Sequence, residues 1–189
     1  MTITIVSMET VYSGWAKYSR ASFRLAGGET VRREIEDHGR VAAVLPYDER
    51  RKTAILIRQF RAPVFVTAGE GDLLEAIAGL VEEPDPADTA RREAHEEAGL
   101  RLGALERVVE AWTMPGLSTE RMSLYLAAYD ERNRVSAGGG ATREEERIEV
   151  VELSLAELAS RADSGRLADM KALLLVQTLR LRRPDLFRP

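Results

Sequence analysis

The sequence predicts a mixed α/β protein, and three observations support this. Of its 189 residues, 44% are hydrophobic and 31% are charged, a balance that lets a chain of this length bury a core. Apolar runs of strand length, at residues 41–47 and 53–61, precede segments with clear helix start and stop signals. Residues 2–39 alternate polar and apolar side chains instead. We therefore expect helices covering a sheet in a main domain at 41–189, with an annex of antiparallel strands at 1–40.

The annex is predicted to contain three strands, with a hairpin turn at Gly27-Gly28 between the second and the third. So small a sheet has little core of its own, so it must pack on the rest of the chain or on a second subunit. Its aromatic side chains could stack on a base or serve core or dimer packing: Trp15, Tyr18 and Phe23.

Residues 41–47 and 53–61 are typical of central strands. Residues 62–72 are predicted to be turn-like, and 73–79 a single strand that ends at Gly79. Farther on, strands at 104–114 and 121–130 flank a Pro-Gly loop at 114–120. A polar, glycine-rich loop at 132–146 leads into a strand at 147–154, and two helices follow at 155–163 and 167–182.

One further helix is predicted between Asp85 and Gly99. Asp85 is a good N-cap, the next residue is a proline, and Gly99 suits the C-cap. Small residues at intervals of four make a stripe that allows close packing on a sheet: Ala90, Ala94 and Ala98. The opposite side is acidic.

That acidic side carries Glu93, Glu96 and Glu97, whose spacing of three and four residues puts like charges side by side and weakens a helix. A divalent cation would offset the repulsion, because Mg²⁺ and Mn²⁺ prefer carboxylate ligands. A solvated surface is the alternative, and Arg92 together with the flanking glycines favours the metal site. His95 lies between the acids but is interpreted as a surface residue.

Composition excludes several kinds of site. The chain has no cysteine, which excludes disulfides, thiolate catalysis and zinc-thiolate centres, and only His38 and His95 are available as imidazole ligands. The net charge of −4 argues against a nucleic-acid partner, and we interpret the arginines near the C-terminus as a solvated helix tail. The sequence shows neither a membrane-spanning run nor a leader peptide, so we expect a cytoplasmic protein.

Residues 79–100, GLVEEPDPADTARREAHEEAGL, resemble the Nudix box, G-x5-E-x7-R-E-U-x-E-E-x-G-U, in which U is aliphatic. The fixed positions matched in identity are Gly79, Arg92, Glu93, Glu96, Glu97, Gly99 and Leu100, and Ala94 occupies an aliphatic position. The interval from the first glycine to the arginine is one residue shorter than in the pattern. The isolated glutamate, the single E that the pattern places between that glycine and the arginine, is therefore supplied by Glu83 or Asp85, or is missing.

The resemblance extends from about residue 34 to 184. TAILIRQFRAP, LLEAIAGLVEE and MPGLSTE are similar to segments of the nucleoside-diphosphate-sugar branch of Nudix hydrolases, which includes ADP-ribose pyrophosphatases. The shortened box and the acidic run EEERIEVVEL are most similar to bacterial GDP-mannose hydrolases. The resemblance implies a Nudix α/β/α sandwich with an N-terminal antiparallel β annex, and a homodimer with swapped N-terminal strands.

The resemblance also implies roles for particular residues. The implied Mg²⁺ ligands, for which Mn²⁺ could substitute, are the Ala78 carbonyl, Glu93, Glu96, Glu97 and Glu146. Arg92 and Glu96 belong to the implied catalytic set, Arg92 because it orients a box glutamate. Glu144 is the implied general base, with Glu145 as its alternative, although a run of loop glutamates is usually a solvated surface.

Arg61 matches an arginine that grips the substrate phosphates, although it could merely close a strand. Arg58 and Glu120 are further candidates for substrate binding, and Glu75 is interpreted as a supporting residue. The implied function is Mg²⁺-dependent hydrolysis of a nucleoside diphosphate sugar, with GDP-mannose first and ADP-ribose second. A catalytically silent nucleotide-sugar sensor is the alternative from another class. Loss of a box glutamate would mark it in the sequence, and the three on the helix are all present.

Overall fold

In a computed structural model, which describes residues 2–140 and 147–188, the chain divides into two compact units. Unit 1 combines the residues up to Val41 with Glu110–Met122, and unit 2 combines Ala42–Val109 with the residues from Ser123 onward. Sequence patterns did not group Glu110–Met122 with the N-terminal strands. The domain organisation at 1–40 and 41–189 stays a prediction.

Unit 1 contains the three predicted N-terminal strands, β1 (Thr4–Ser13), β2 (Lys17–Arg24) and β3 (Thr30–Asp37). They form an antiparallel sheet in the order β1-β2-β3. Gly28 adopts a φ of 92° in the turn between β2 and β3, a backbone conformation that favours glycine. Every residue of β1 is exposed, which agrees with the expectation that this sheet has little core of its own.

The larger sheet has seven strands in the order β10-β5-β4-β9-β8, with β6 paired to β5 and β7 paired to β4. Their bounds are β4 (Val41–Asp48), β5 (Thr53–Phe60), β6 (Asp72–Glu75), β7 (Ile77–Leu80), β8 (Glu106–Trp112), β9 (Arg121–Ala128) and β10 (Glu149–Ser154). Strands β4, β6 and β10 all run antiparallel to β5.

Four helices accompany the larger sheet: α1 (Ala62–Ala68), α2 (Pro86–Ala98), α3 (Leu155–Asp163) and α4 (Met170–Arg182). The alanine stripe of α2 is buried against Val44, Ile55 and Ile57 of the central strands. The intervening strand residues are buried as well and point to the opposite face of the sheet, because side chains alternate along a strand. Helix α3 contacts β10 and α4. Both faces of the sheet are therefore covered, as expected for an α/β/α sandwich.

The segment 62–72 was predicted to be turn-like, and this prediction was wrong. Residues Ala62–Ala68 form α1, which has Pro63 in its first turn and ends at Gly69 with φ 79°. The β-branched residues of this segment disfavour a helix and hid it from sequence analysis. No residue of α1 is buried, so the helix lacks the apolar periodicity that would have revealed it.

The single strand predicted at 73–79 is two strands, β6 and β7, which are interrupted at Ala76. The Ala76 N–H donates to the Asp169 carboxylate, at 3.1 Å, instead of to a neighbouring strand. A side chain that is distant in sequence therefore breaks the strand, and no local pattern could have shown it.

The C-terminal arginines form ion pairs with nearby acids, in agreement with a solvated helix tail. Arg180 pairs with Asp163 at 2.7 Å, and Arg182 pairs with Glu106 at 2.5 Å. Arg183 contacts both Glu49 and Asp185. Across the part of the chain that the structure describes, no helix has the length and apolar character needed to cross a membrane.

Candidate active site

Helix α2 is the platform of the candidate site. Asp85 caps its N-terminus by accepting a hydrogen bond from the Ala87 N–H at 2.9 Å, and Gly99 ends it in the left-handed conformation. The alanine stripe fixes which face is buried, so the acidic residues lie on the remaining faces. His95 is exposed, as expected for a surface residue.

Arg92 lies among three carboxylates in unit 2. Its Nε is 2.9 Å from Glu83 Oε1, its Nη2 is 2.9 Å from Glu93 Oε1, and its Nη1 is 3.0 Å from Glu96 Oε2. Burial alone would lower the pKa of Arg92, but these carboxylates raise it above its usual value. The guanidinium therefore offsets part of the repulsion that the acidic spacing creates.

The residue that supplies the isolated glutamate was left open by the sequence, and the structure favours Glu83. Its carboxylate accepts hydrogen bonds from Thr89 Oγ1 at 2.5 Å and from Arg92 Nε at 2.9 Å. The hydrogen bonds from Thr89 and Arg92 lower the pKa of Glu83 to about 2. Asp85 is instead occupied as the helix cap. The short interval thus keeps a glutamate in contact with Arg92.

Glu97 and Ala78 lie next to each other. The Glu97 side chain is only 4% exposed, and its Oε2 accepts a hydrogen bond from the Ala78 N–H at 3.2 Å. The first glycine of the box follows directly, and a Cβ at Gly79 would overlap the Glu93 carboxylate. Glycine at this position therefore lets β7 approach α2 closely enough to bring Ala78, Glu93 and Glu97 together.

Arg61, the residue directly after β5, pairs with the buried carboxylate of Glu75. Arg61 donates from Nε to Glu75 Oε1 at 2.5 Å and from Nη2 to Oε2 at 3.0 Å. Burial alone would raise the pKa of Glu75, but the Arg61 and Lys171 cations hold it below its usual value. The Arg61 side chain remains 38% exposed, whereas the Glu75 side chain is only 2% exposed.

Lys171 was not identified from the sequence. Its Nζ lies 2.9 Å from Glu75 Oε2 and 2.8 Å from Asp169 Oδ1. Since Lys171 and Glu75 are 96 residues apart, sequence spacing carries no sign of this contact. The one local clue is that Asp169 has the sequence position of a helix N-cap.

Two of the predicted substrate-binding residues, Arg58 and Glu120, interact with other side chains of the protein. Arg58 forms an ion pair, at 2.9 Å, with Glu149, which lies directly opposite it on β10. Glu120 lies in unit 1, where its Oε2 is 2.6 Å from His38 Nε2. Their roles in substrate binding stay predictions.

His38 lies between two acids. Its Nδ1 is 2.6 Å from Glu36 Oε1, and its Nε2 is 2.6 Å from Glu120 Oε2. The Trp15 ring stacks on the imidazole, with 4.9 Å between the ring centroids. Burial would lower the pKa of His38, but the two carboxylates raise it above its usual value. Ser118 adds a hydrogen bond to Glu36 at 2.5 Å. The Pro-Gly loop is thereby fastened to β3.

Unit 1 also contains a cavity of about 420 Å³, to which Phe23 and Trp112 contribute aromatic side chains. Phe23 therefore lines this cavity, and its role in base binding or in packing stays a prediction. Trp15 is stacked on His38, and Tyr18 is tilted against Tyr12.

The acidic loop residues Glu144, Glu145 and Glu146 lie outside the described residues. Among residues 2–140 and 147–188, no three carboxylate or histidine side chains converge in the arrangement of a metal site. Two of the acids on α2 are instead engaged by Arg92. The described part of the site therefore brings together Ala78, Glu93 and Glu97, with Glu96 attached through Arg92.

An α/β/α sandwich that presents three glutamates and a bracing arginine on one helix has the fold and the acidic helix of a Nudix hydrolase. The chain belongs to the NUDIX domain family, which matches residues 37–174.

Curated relatives agree with this assignment. The chain is similar to a GDP-mannose pyrophosphatase from Cronobacter sakazakii, with 44% identity over 158 residues, 82% of each chain. It is also similar to a GDP-mannose pyrophosphatase from Pectobacterium atrosepticum, with 39% identity over 93% of this chain and 92% of the relative. An Escherichia coli K12 protein of the same name is 38% identical over 80% of each chain.

A solved structure described as an ADP compounds hydrolase has the same fold. It superimposes with a TM-score of 0.71 over 97% of this chain and 96% of that chain, at 20% sequence identity. This likeness confirms the predicted fold class.

Proposed function

We propose that this protein is a Mg²⁺-dependent pyrophosphohydrolase that cleaves the diphosphate of GDP-mannose to GMP and mannose 1-phosphate. The observation that carries the proposal is the similarity to GDP-mannose pyrophosphatases over at least 80% of the chain. The geometry adds support, because all three box glutamates are present and Ala78 lies beside the most buried of them.

The chemistry of the donor atoms suits a hard divalent cation. The donors are all oxygens, from the Ala78 carbonyl and from Glu93, Glu96 and Glu97, and Gly79 leaves room for the Glu93 carboxylate. We assign Glu146 to the same ligand set on the basis of the sequence. When bound, Mg²⁺ supplies positive charge to the diphosphate and makes a water more acidic, and Mn²⁺ would serve in its place.

The chain's own residues would do the rest. Glu144, or Glu145 in the alternative register, accepts a proton from the attacking water, whose oxygen forms a bond to one phosphorus. The bond from that phosphorus to the bridging oxygen breaks, and the two phosphates separate. Arg92 keeps Glu93 and Glu96 in place, and Arg61 holds phosphate oxygens through a planar donor edge.

The test is a substrate screen with pure protein and Mg²⁺, in which GDP-mannose, ADP-ribose and other nucleoside diphosphates are compared by release of the monophosphate. GDP-mannose is expected to give the highest kcat/KM, and ADP-ribose is the second substrate to examine. Failure to turn over any of them would overturn the hydrolase proposal. Tight calorimetric binding without turnover would favour the nucleotide-sugar sensor instead.

The proposal includes a homodimer in which the N-terminal strands lie across the partner. The exposure of β1 along its whole length supports this dimer. Apolar side chains such as Ile5 and Met8, each 64% exposed, would be covered by the partner subunit. A cytoplasmic location, expected from the sequence, belongs to the same proposal, as does the absence of a nucleic-acid partner.

A further inference from the structure

The first turn of α4 lies beside two parts of the candidate site. Asp169 is the N-cap of this helix, and its Oδ2 accepts hydrogen bonds from the Ala172 N–H at 3.0 Å and from the Ala76 N–H at 3.1 Å. Its other oxygen, Oδ1, accepts a hydrogen bond from Lys171 Nζ at 2.8 Å. One carboxylate thus joins the start of α4 to the break between β6 and β7.

Lys171 continues this connection to Arg61. Its Nζ donates to Glu75 Oε2 at 2.9 Å, and Glu75, only 2% exposed, receives both Nε and Nη2 of Arg61. The four side chains form a continuous series of ion pairs that alternates in charge, in the order Arg61, Glu75, Lys171 and Asp169. A buried carboxylate held on both sides has one orientation, and it passes that orientation to the guanidinium.

The same cap also supports the Ala78 side of the site. Ala76 is fixed by Asp169, and two residues later the Ala78 N–H donates to Glu97. The backbone between these two hydrogen bonds is short, so its position depends on both of them. Arg61 and Ala78 therefore share one support, although Arg61 follows β5 and Ala78 lies in β7.

We propose that Lys171 and Asp169 are positioning residues for diphosphate binding. Lys171 acts through Glu75 on Arg61, and Asp169 holds Lys171 and acts through Ala76 on Ala78. The proposal rests on the proposed function, in which Arg61 binds the phosphates. An arginine that is already oriented loses less side-chain freedom when it binds a phosphate, so its support should affect affinity more than the chemical step.

The experiment is a double-mutant cycle between Lys171→Met and Arg61→Ala. Methionine keeps an unbranched side chain of similar length and leaves Glu75 paired with Arg61. We expect Lys171→Met to weaken binding of GDP in the presence of Mg²⁺ about tenfold by calorimetry and to raise KM for GDP-mannose with a smaller change in kcat. In the Arg61→Ala background, Lys171→Met should weaken GDP binding at most about twofold further. A twofold change is about the error within which effects at independent sites add.

Three further variants control the cycle. Leu174→Ala, one turn along α4 at an exposed position, should bind GDP as the wild type does. Lys171→Arg keeps the cation and should restore most of the affinity. Should Lys171→Met fail to fold, Asp169→Asn replaces it, because asparagine is also a good N-cap but lacks the charge that holds Lys171.

The outcomes separate the two proposals. Two results would overturn the positioning role when the wild-type protein binds GDP. One is that Lys171→Met weakens GDP binding equally in the presence and in the absence of Arg61, and the other is that Lys171→Met leaves the affinity for GDP unchanged. Wild-type protein that neither binds GDP nor hydrolyses GDP-mannose overturns the proposed function and the positioning role together.

Discussion

Arg92 contacts three carboxylates, and the repulsion between the two on α2, Glu93 and Glu96, would otherwise weaken this helix. Each like-charged pair on a helix face costs about 0.2–0.5 kcal/mol, and one guanidinium with several donors can face all three acids at once. The arginine therefore allows a helix to keep an acidic face before any cation binds. It also fixes where two of the carboxylates point.

Arg92→Lys should lower kcat/KM for GDP-mannose by about 10²-fold while the protein stays folded. A lysine keeps the charge but is a point donor, which cannot hold Glu83, Glu93 and Glu96 together. Steady-state kinetics and a thermal melt check this result. Arg91→Lys is the matched control, because Arg91 contacts Asp88 and the Gly103 carbonyl instead. Equal losses in the two variants would contradict the bracing role.

Gly79→Ala should reduce activity far more than stability. The new methyl group would overlap the Glu93 carboxylate, which can rotate away at little cost to the fold but then leaves its position in the site. A displacement of this size costs about 10²-fold in rate. Gly103→Ala is the control, since nothing lies within 4 Å of a Cβ there. Steady-state kinetics measure the activity, and urea unfolding measures the stability. Full activity in Gly79→Ala would contradict the close approach of Gly79 to the Glu93 carboxylate.

Strand β3 and the Pro-Gly loop are joined both by backbone hydrogen bonds and by one histidine. The Glu36 N–H donates to the Leu117 carbonyl and the Thr119 N–H donates to the Glu36 carbonyl, both at 2.9 Å, so backbone pairing joins loop and strand. His38 adds a contact to an acid on each of them, Glu36 and Glu120. Two carboxylates at hydrogen-bond distance favour the imidazolium form, so this fastening is sensitive to pH.

Raising the pH should loosen the contact between β3 and the loop. Because the folded-state pKa of His38 is raised above its usual 6.5, its contribution to stability is complete below pH 6.5 and is lost as the pH rises through the folded-state value. His38→Gln should remove that part of the pH dependence. Urea unfolding between pH 6 and pH 9 measures it, and a wild-type stability that rises over this range in parallel with His38→Gln would contradict the assignment.

Most elements could be predicted from the sequence, because their information is local. The caps of α2 and its alanine stripe specify a helix and its buried face, and alternation specifies the N-terminal strands. Helix α1 was missed since it has no buried side, and the break at Ala76 was missed since it depends on Asp169. The acids of α2 were found from their spacing, whereas Lys171 needed the tertiary structure.

At the scale of the whole molecule, the unit with the N-terminal strands has a sheet edge that is exposed along its whole length. Apolar residues on β1 are about half exposed or more, among them Ile5, Val6 and Tyr12. Such a surface is costly in water and is a common mark of an interface. The proposed exchange of N-terminal strands between two copies would cover it.

Light scattering should give a mass of twice the 21.0 kDa chain. Ile5→Lys combined with Met8→Lys should shift the equilibrium toward the single chain, because the substitutions place charges on the proposed interface. Glu9→Lys, a charge change at an exposed and already polar position of β1, is the control. A wild-type protein that is monomeric at micromolar concentration would contradict the dimer.

Hydrolysis of GDP-mannose on the acidic helix is the central proposal, and a substitution of Glu97 tests it most directly. Glu97→Gln keeps a side-chain oxygen that can accept the Ala78 N–H but removes the charge, so the fold should persist. The measurement is GMP release from GDP-mannose at saturating Mg²⁺, with the melting temperature of both proteins as the check on folding. We expect the wild type to release GMP and Glu97→Gln to lose at least about 10²-fold in kcat. Wild-type turnover that Glu97→Gln retains unchanged would contradict the proposed role of the acidic helix.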